Sequence, residues 1–556
     1  MANYAIGLDF GTLSARAIAV DVKTGKEAAI SVYGYQDMVI DACLPGTNIE
    51  VPLGSALQNP QDYVEALEGL LKDIVTDKGI APNEVVGIGV AFTSCTLLSL
   101  DENFHPLCFD DRFRNNPHSW AKLWKHHSTQ KYAQELHRTA MMRNEDFLAR
   151  CGKKVSEEGM YAKILETLVE APDVYEMTHR FMEGGDWIVY LLTGNECINN
   201  CAASFKGYWT KSTGYPPNEF FKAIDIRLDG MPERKLSGNV RPVGSTAGGL
   251  TEEMAERTGL KPDTPVAVAN VDAHISVPAV GVTATDKIVM IMGTSLCHML
   301  VSEKEVPVPG ICGVVKDGII PGLYGYEAGQ SAAGDIYDWF VSNYISYEYE
   351  REALDRDMFI FDLMNEKAAK IKPGESGLLT LDWLNGNRSV LVNGNLSGMI
   401  LGLRLSTRPE EIYRALIEGT AFGSRLIIET YLNNGIDVDE IYACGGMVRK
   451  SQTVMQIFAD VLGRPITISD ARQTSALGAA MYGAVAAKKK GGGYDSIFEA
   501  APQMSKIREE KVMPDMKNHN IYTRLFEEYK KLYDYFGRNG NHVMEVLKNI
   551  QESVAD

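Results

Sequence analysis

Apolar and small residues alternate from Tyr4 to Asp21, YAIGLDFGTLSARAIAVD, and the alternation breaks once, at Asp9-Phe10-Gly11-Thr12. A period of two with a glycine break predicts two strands joined by a tight turn. The pattern returns at Lys287 to Val301, KIVMIMGTSLCHMLV, again with Gly-Thr between two apolar runs, and this echo predicts a duplicated unit. Between the two, Pro60 to Thr76 has helical spacing, with Val64, Leu67, Leu71, Ile74 and Val75 on one face. Val85 to Ala91 is a buried strand running into Phe92-Thr93-Ser94-Cys95-Thr96. The order strand, helix, strand predicts an α/β fold with a mixed or parallel sheet.

Further along, Ser156 to Ala171 reads as a helix stopped by Pro172, and Val266 to Asn270 as a buried strand. Pro409 to Asn434 is a long helix, and Glu440 to Gly446 is a strand entering a Gly-Gly turn before a helix from Ser451 to Leu462. A tail helix, Ile521 to Phe536, places Leu525, Tyr529, Leu532 and Phe536 on the face expected to dock. Asp37 to Asn59 has no sustained period and is expected to be an insertion or long loop.

Length and composition narrow the picture. A chain of 556 residues predicts two large domains, and 45% apolar with 23% charged residues is ordinary for a globular protein. No apolar run approaches the length of a membrane span, and the start MANYAIGLDF lacks the features of a signal peptide, so a soluble, cytoplasmic chain is expected. Nine cysteines without a C-x-x-C pair suit reduced thiols. A net charge of −18 argues against a nucleic-acid partner but leaves room for a nucleotide held by local amides and a cation. Neither a Walker-type G-x-x-x-x-G-K-[ST] loop nor a strand-linked G-x-G-x-x-G is present.

Two Gly-Thr turns facing one another would clasp a polyphosphate from both sides. Taken alone, the first turn reads first as an ordinary hairpin with a solvated Asp, and only the echo turns it toward a phosphate. Asp272, at the end of the strand Val266 to Asn270, has the placement of a general base or of a helix N-cap, and His274 is expected to be structural. Thr93 to Thr96 is a substrate wall or a polar turn. Trp120 and Trp124, four apart on an expected helix, suit either a sugar ring or core packing, with His126 and His127 as surface groups. Lys206, among small and aromatic residues in SFKGYW, is a candidate hydroxyl ligand.

With GLDFGTLSARAIAVD, IMGTS, NVDAH and YACGGMVRKSQ in place, the chain resembles the FGGY carbohydrate kinases of the actin/hexokinase-like superfamily, from Tyr4 to about Ala487. TSCT, LWKHH, SFKGYW and GYEAGQSAAGD narrow the likeness to the ribulose-phosphorylating branch, and Thr93 to Thr96 departs from the Met-His pair of xylulose-specific members. The resemblance implies two RNase H-like domains with a catalytic cleft between them: 1–281, binding sugar, and 282–490, binding adenosine, followed by a helical tail over 491–556. It implies ATP and Mg²⁺, with Asp9 organising the metal. Gly11, Thr12, Ser14, Arg16, Gly293, Thr294 and Ser295 would surround the phosphates, and Gly445 and Gly446 would border the adenosine. Asp272 would be the base, and Trp124, Lys206, Glu327 and Thr96 would contact the sugar. The implied reaction is phosphorylation of the 5-hydroxyl of L-ribulose in L-arabinose breakdown, by a protein that needs no membrane and leaves a homo-oligomer open. D-ribulose, ribitol, or a non-enzymatic sugar sensor on the same fold are the alternatives.

Overall fold

The computed structural model describes residues 3–555. Among the described residues, two sheets carry the fold, and their strand orders match. In the first, Tyr4–Phe10 pairs antiparallel with Ser14–Asp21, which pairs antiparallel with Glu27–Gly34. On its other side Tyr4–Phe10 runs parallel to Val85–Phe92, and Pro265–Ala267 and Asn270–Val271 follow in parallel. In the second sheet Lys287–Met292 pairs antiparallel with Leu296–Ser302, then Tyr324–Gln330; its other edge is parallel to Glu440–Cys444 and then Ile466–Ile468. The predicted echo is therefore a repeated topology and not a chance likeness of two hairpins.

The helix predicted over Pro60 to Thr76 forms over those residues, with Asn59 capping it through its side chain and Pro60 at the first turn. It buries Tyr63, Ala66, Leu67, Leu70, Leu71 and Ile74 against the first sheet. The helix expected from Ser156 begins later, at Met160, and ends at Glu170.

The helix Thr474–Ala487, which sequence order assigns to 282–490, packs on the first sheet, against Val85–Phe92 and Tyr4–Phe10. Glycine makes this possible. A Cβ on Gly7 would sit 1.8 Å from the Ala476 carbonyl oxygen, and one on Gly89 would sit 1.9 Å from that of Ala479. Backbone meets backbone there, because TSALGAAMYGAVAA has few large side chains to hold the helix off the sheet. This helix also crosses Asp272–Ala279, so the two helices lie together between the sheets and share one apolar cluster.

The tail docks as expected, with a shifted face. Helix Met516–Gly537 fully buries Tyr522, Phe526, Tyr529 and Tyr533 on the second core, while Leu525, Leu532 and Phe536 are only partly covered. Large aromatics at that spacing remove more apolar area than the leucine stripe beside them. The insertion over 37–59 places Ile40, Leu44, Val51 and Leu57 with Cys108 and Trp120 in a cluster of its own.

Candidate active site

Each Gly-Thr turn is closed by a bond from its glycine N–H to a serine carbonyl, three residues on in the first turn and two in the second. Gly11 N–H donates to the Ser14 carbonyl at 3.0 Å, and Gly293 N–H donates to that of Ser295 at 3.0 Å. Thr294 then accepts at its carbonyl from Ala333 N–H at 2.8 Å and Asp335 N–H at 3.2 Å, which ties the second turn to the helix Gly334–Tyr344. Thr12, Gly293, Thr294 and Ser295 line one cavity of about 240 Å³ together with Asp272, Thr93, Ser94, Trp124, Glu327 and Arg388. The strand Glu440–Cys444 leads beside this turn into Gly445 (φ +107°), where a Cβ would lie 2.4 Å from the Met292 carbonyl oxygen, and Gly446 follows, exposed. No side chain other than hydrogen fits at 445 without moving the backbone.

Asp272 opens the helix Asp272–Ala279, with one carboxylate oxygen accepting from Ala273 N–H at 2.7 Å. It is not the N-cap; Val271 holds that position. Burial, with the Asp9 carboxylate second, pushes its pKa up to about 7. Asp9 is itself raised to about 6 by burial, partly opposed by the Arg16 guanidinium 3.8 Å away. A carboxylate poised near neutrality beside a cleft has the titration range of a general base.

The opposite wall is a buried ionic cluster. Glu327, in the strand Tyr324–Gln330, faces Lys206 Nζ at 3.1 Å, His274 Nε2 at 3.4 Å and Arg388 Nη2 at 2.8 Å. Burial alone would raise its pKa, yet these three groups outweigh it and hold the carboxyl well below the usual range. Lys206 is correspondingly held above the ordinary lysine value despite its burial. A fixed carboxylate and ammonium at the cleft are suited to hydroxyls, which both donate and accept.

Residues 4–278 match the N-terminal domain of the FGGY family of carbohydrate kinases, and residues 288–487 match its C-terminal domain. The chain belongs to the FGGY family of carbohydrate kinases. It is 52% identical over 549 residues to a ribulokinase of Halalkalibacterium halodurans, covering 99% of this chain and 98% of that one. To a ribulokinase of Geobacillus thermodenitrificans it is 50% identical over 552 residues, with the same coverage. The solved xylulose kinase of Rhodospirillum rubrum shares the fold at a TM-score of 0.77, with 23% identity over 96% of this chain and 99% of its own.

In this FGGY kinase the cavity brings together Asp272, Glu327, Trp124, Thr12, Gly293, Thr294 and Ser295. Thr96 is not with them. It is fully buried, its hydroxyl 2.9 Å from that of Thr93, and its carbonyl accepts from Gly184 N–H, so the turn presents Thr93 and Ser94 instead. Lys206 reaches the site through Glu327 and lines the adjoining small cavity with Glu158 and Arg388. Trp120 and Trp124 do not share a helix: Trp120 precedes the short strand Ala121–Lys122 and is buried, and Trp124 follows it. The predicted surface role of His126 is also wrong. It is buried against Glu166 at 2.9 Å, where Lys122 joins at 2.6 Å.

Sequence reasoning missed Glu158, Arg388 and Lys163. Arg388 stands in Asn387-Arg388-Ser389, whose only local signal is a glycosylation-like triplet. Lys163 lies on the helix Met160–Glu170, wholly buried, and donates to the carbonyls of Cys95 and, at 2.7 Å, Leu123. One ammonium thus joins the Thr93–Thr96 turn to the loop that carries Trp124.

Proposed function

We propose that this protein transfers the γ-phosphoryl group of ATP to the 5-hydroxyl of L-ribulose. The observation that carries this reading is Asp272 in one cavity with Gly293, Thr294 and Ser295, a base on the first sheet's side facing a phosphate turn on the second. Ribulose is chosen because the relatives named ribulokinase match almost the whole chain at 40–52% identity.

Asp272, when ionised, accepts the proton of the 5-hydroxyl as the oxygen attacks phosphorus, and Glu327 and Lys206 fix the other hydroxyls. Positioning and charge stabilisation carry most of phosphoryl transfer, with the base adding roughly 10²- to 10⁴-fold. Asp9 suits Mg²⁺: it is a buried hard oxygen donor whose ion-pair partner among the described residues, Arg16, lies at 3.8 Å. Among the described residues no group of three or more His, Cys, Asp or Glu side chains could hold a metal, which fits a cation bound mainly through water and phosphate oxygens. When bound, it supplies charge neutralisation on the phosphates. We assign the sugar side to 1–281, the adenosine side to 282–490 apart from the helix Thr474–Ala487, and the docked tail to 491–556, in a cytoplasmic enzyme.

The test is sugar-stimulated ADP release with ATP and Mg²⁺ across L-ribulose, D-ribulose, ribitol and xylulose. L-Ribulose is expected to give the highest kcat/KM. Preference for another sugar would overturn the substrate, and absence of stimulation by any of them would overturn the kinase reading.

A further inference from the structure

Arg388 enters the cleft from the segment between strands Leu379–Leu381 and Met399–Leu401, and it is the only group there that meets two carboxylates from different halves of the chain among the described ion pairs of the site. Its Nη2 lies 2.8 Å from Glu327 Oε1 and 3.5 Å from Glu158 Oε2, and its Nη1 lies 3.7 Å from Cys297 Sγ. Glu158, Lys206 and His274 come from the first half; Glu327 and Arg388 come from the second. Arg388 also borders both the 240 Å³ cavity and a neighbouring one of about 270 Å³, which shares Trp124, Glu158 and Ser295 with it.

The segment is held on several sides. Asn387 and Asn393 exchange backbone bonds at 3.0 and 2.8 Å, and Val390 N–H donates to the Tyr533 hydroxyl at 3.1 Å. From the last helix, Val543–Ala555, Lys548 donates to Asn395 at 2.9 Å and Glu545 accepts from Asn393 at 3.3 Å. Lys154, from the first half, donates to the Val392 carbonyl. The tail therefore helps to hold the segment that carries Arg388, and it contributes Lys548 alone to the lining of the second cavity.

We propose that Arg388 is a positioning residue of the sugar site: it fixes Glu327 toward the sugar hydroxyls and ties it to Glu158 across the cleft. The proposal rests on the kinase reading above. Chemistry favours arginine here. One arm of the planar fork, Nη2, meets both carboxylates while the other, Nη1, faces Cys297 Sγ, a fixed geometry that a lysine ammonium on a flexible stem does not reproduce. Charge points the same way: among the described ion pairs Arg388 is the partner of Glu158, and removal of the guanidinium would leave that carboxylate unpaired and Glu327 with Lys206 and His274 alone.

The experiment compares wild type, Arg388→Gln and Arg388→Lys on the best substrate of the sugar panel. Arg388→Gln is expected to raise the sugar KM by roughly ten- to a hundredfold, the effect of losing one charge-assisted hydrogen bond, with the ATP KM within about twofold. Arg388→Lys is expected to recover part of the loss. An unchanged sugar KM, or an ATP KM that rises in parallel, overturns the proposal. Backbone hydrogen exchange over 156–159 in the sugar-free variant is the readout independent of activity, and it decides the matter if no sugar is turned over by wild type, an outcome that would fell the kinase reading itself. Faster exchange at 156–159 in Arg388→Gln supports the bridge, and exchange equal to wild type overturns it.

Discussion

The indole Nε1 of Trp124 donates a hydrogen bond to Thr12 Oγ1 at 3.2 Å, so the wall assigned to the sugar and the first phosphate turn share a contact. Residues 112 positions apart in sequence are thus joined at the point where the two substrates would meet. Trp124→Phe keeps most of the ring and removes the donor. It is expected to raise the KM for ribulose and the KM for ATP together, by roughly two- to tenfold, as befits one neutral hydrogen bond. Trp124→Ala, which also removes the apolar face, is expected to raise the ribulose KM further than the ATP KM. Steady-state kinetics with each substrate varied in turn separates the two.

Burial raises both carboxyls, Asp272 to about 7 with the Asp9 charge as second cause, and Asp9 to about 6. Both are raised, so protonation sets in as pH falls through this range, and a protonated Asp272 cannot accept the hydroxyl proton. The kcat/KM is therefore expected to be level above about pH 7.5 and to fall by about tenfold per pH unit below about pH 6.5. Asp272→Asn should bind ribulose and ATP yet lose roughly 10²- to 10⁴-fold in kcat; near-normal turnover would remove Asp272 from the base role.

The pieces of this site that the sequence revealed are those fixed by local pattern. The Gly11-Thr12 and Gly293-Thr294 turns interrupt two-residue alternation, and Asp272 follows directly on a buried strand. Arg388 and Glu158 were not legible because their meaning is an ion pair spanning 230 positions, which neither the helical reading from Ser156 nor the unpatterned stretch around Arg388 signals. The packing of the helix Thr474–Ala487 was not legible for a related reason: in sequence it belongs with the second unit, as the match of residues 288–487 to the C-terminal domain has it, while its small residues pack on the glycine-lined face of the first sheet. Trp120 and Trp124 had helical spacing without a helix, since Lys122 turns inward between them to reach Glu166 and Thr167.

Lys163 supplies a third test. Its ammonium is buried, burial lowers its pKa, and it donates to carbonyls of two separate walls of the cleft, at Cys95 and Leu123. Cys95 is in the left-handed region at φ +55°, so the turn it belongs to needs an external partner to hold its shape. Lys163→Met fills the same space without donors and leaves the Cys95 carbonyl unsatisfied, at a cost of about 1–3 kcal/mol when buried, while Leu123 keeps the His126 N–H at 3.2 Å. The variant is expected to lose several degrees in thermal midpoint and to raise the ribulose KM more than the ATP KM. Calorimetry and kinetics on the same preparation check this, and a purely thermal effect would confine Lys163 to stability.

The seam between the first sheet and the helix Thr474–Ala487 makes a prediction that depends on backbone alone. A methyl at Gly7 would have to occupy space 1.8 Å from the Ala476 carbonyl oxygen and 2.6 Å from the Ala480 nitrogen, so strand or helix must move to admit it. Gly34, at the end of the strand Glu27–Gly34, has nothing within 4 Å of its would-be Cβ. Gly7→Ala is expected to destabilise the protein by about 1–3 kcal/mol or more through overpacking, whereas Gly34→Ala should be neutral or slightly stabilising because it narrows the unfolded ensemble. Since the same helix crosses Asp272–Ala279, displacement at Gly7 should carry to the base, and kcat is expected to fall in Gly7→Ala even at temperatures where the variant is folded. Thermal midpoints for the pair, with kcat measured well below each, decide whether this seam only supports the fold or also holds Asp272 in place.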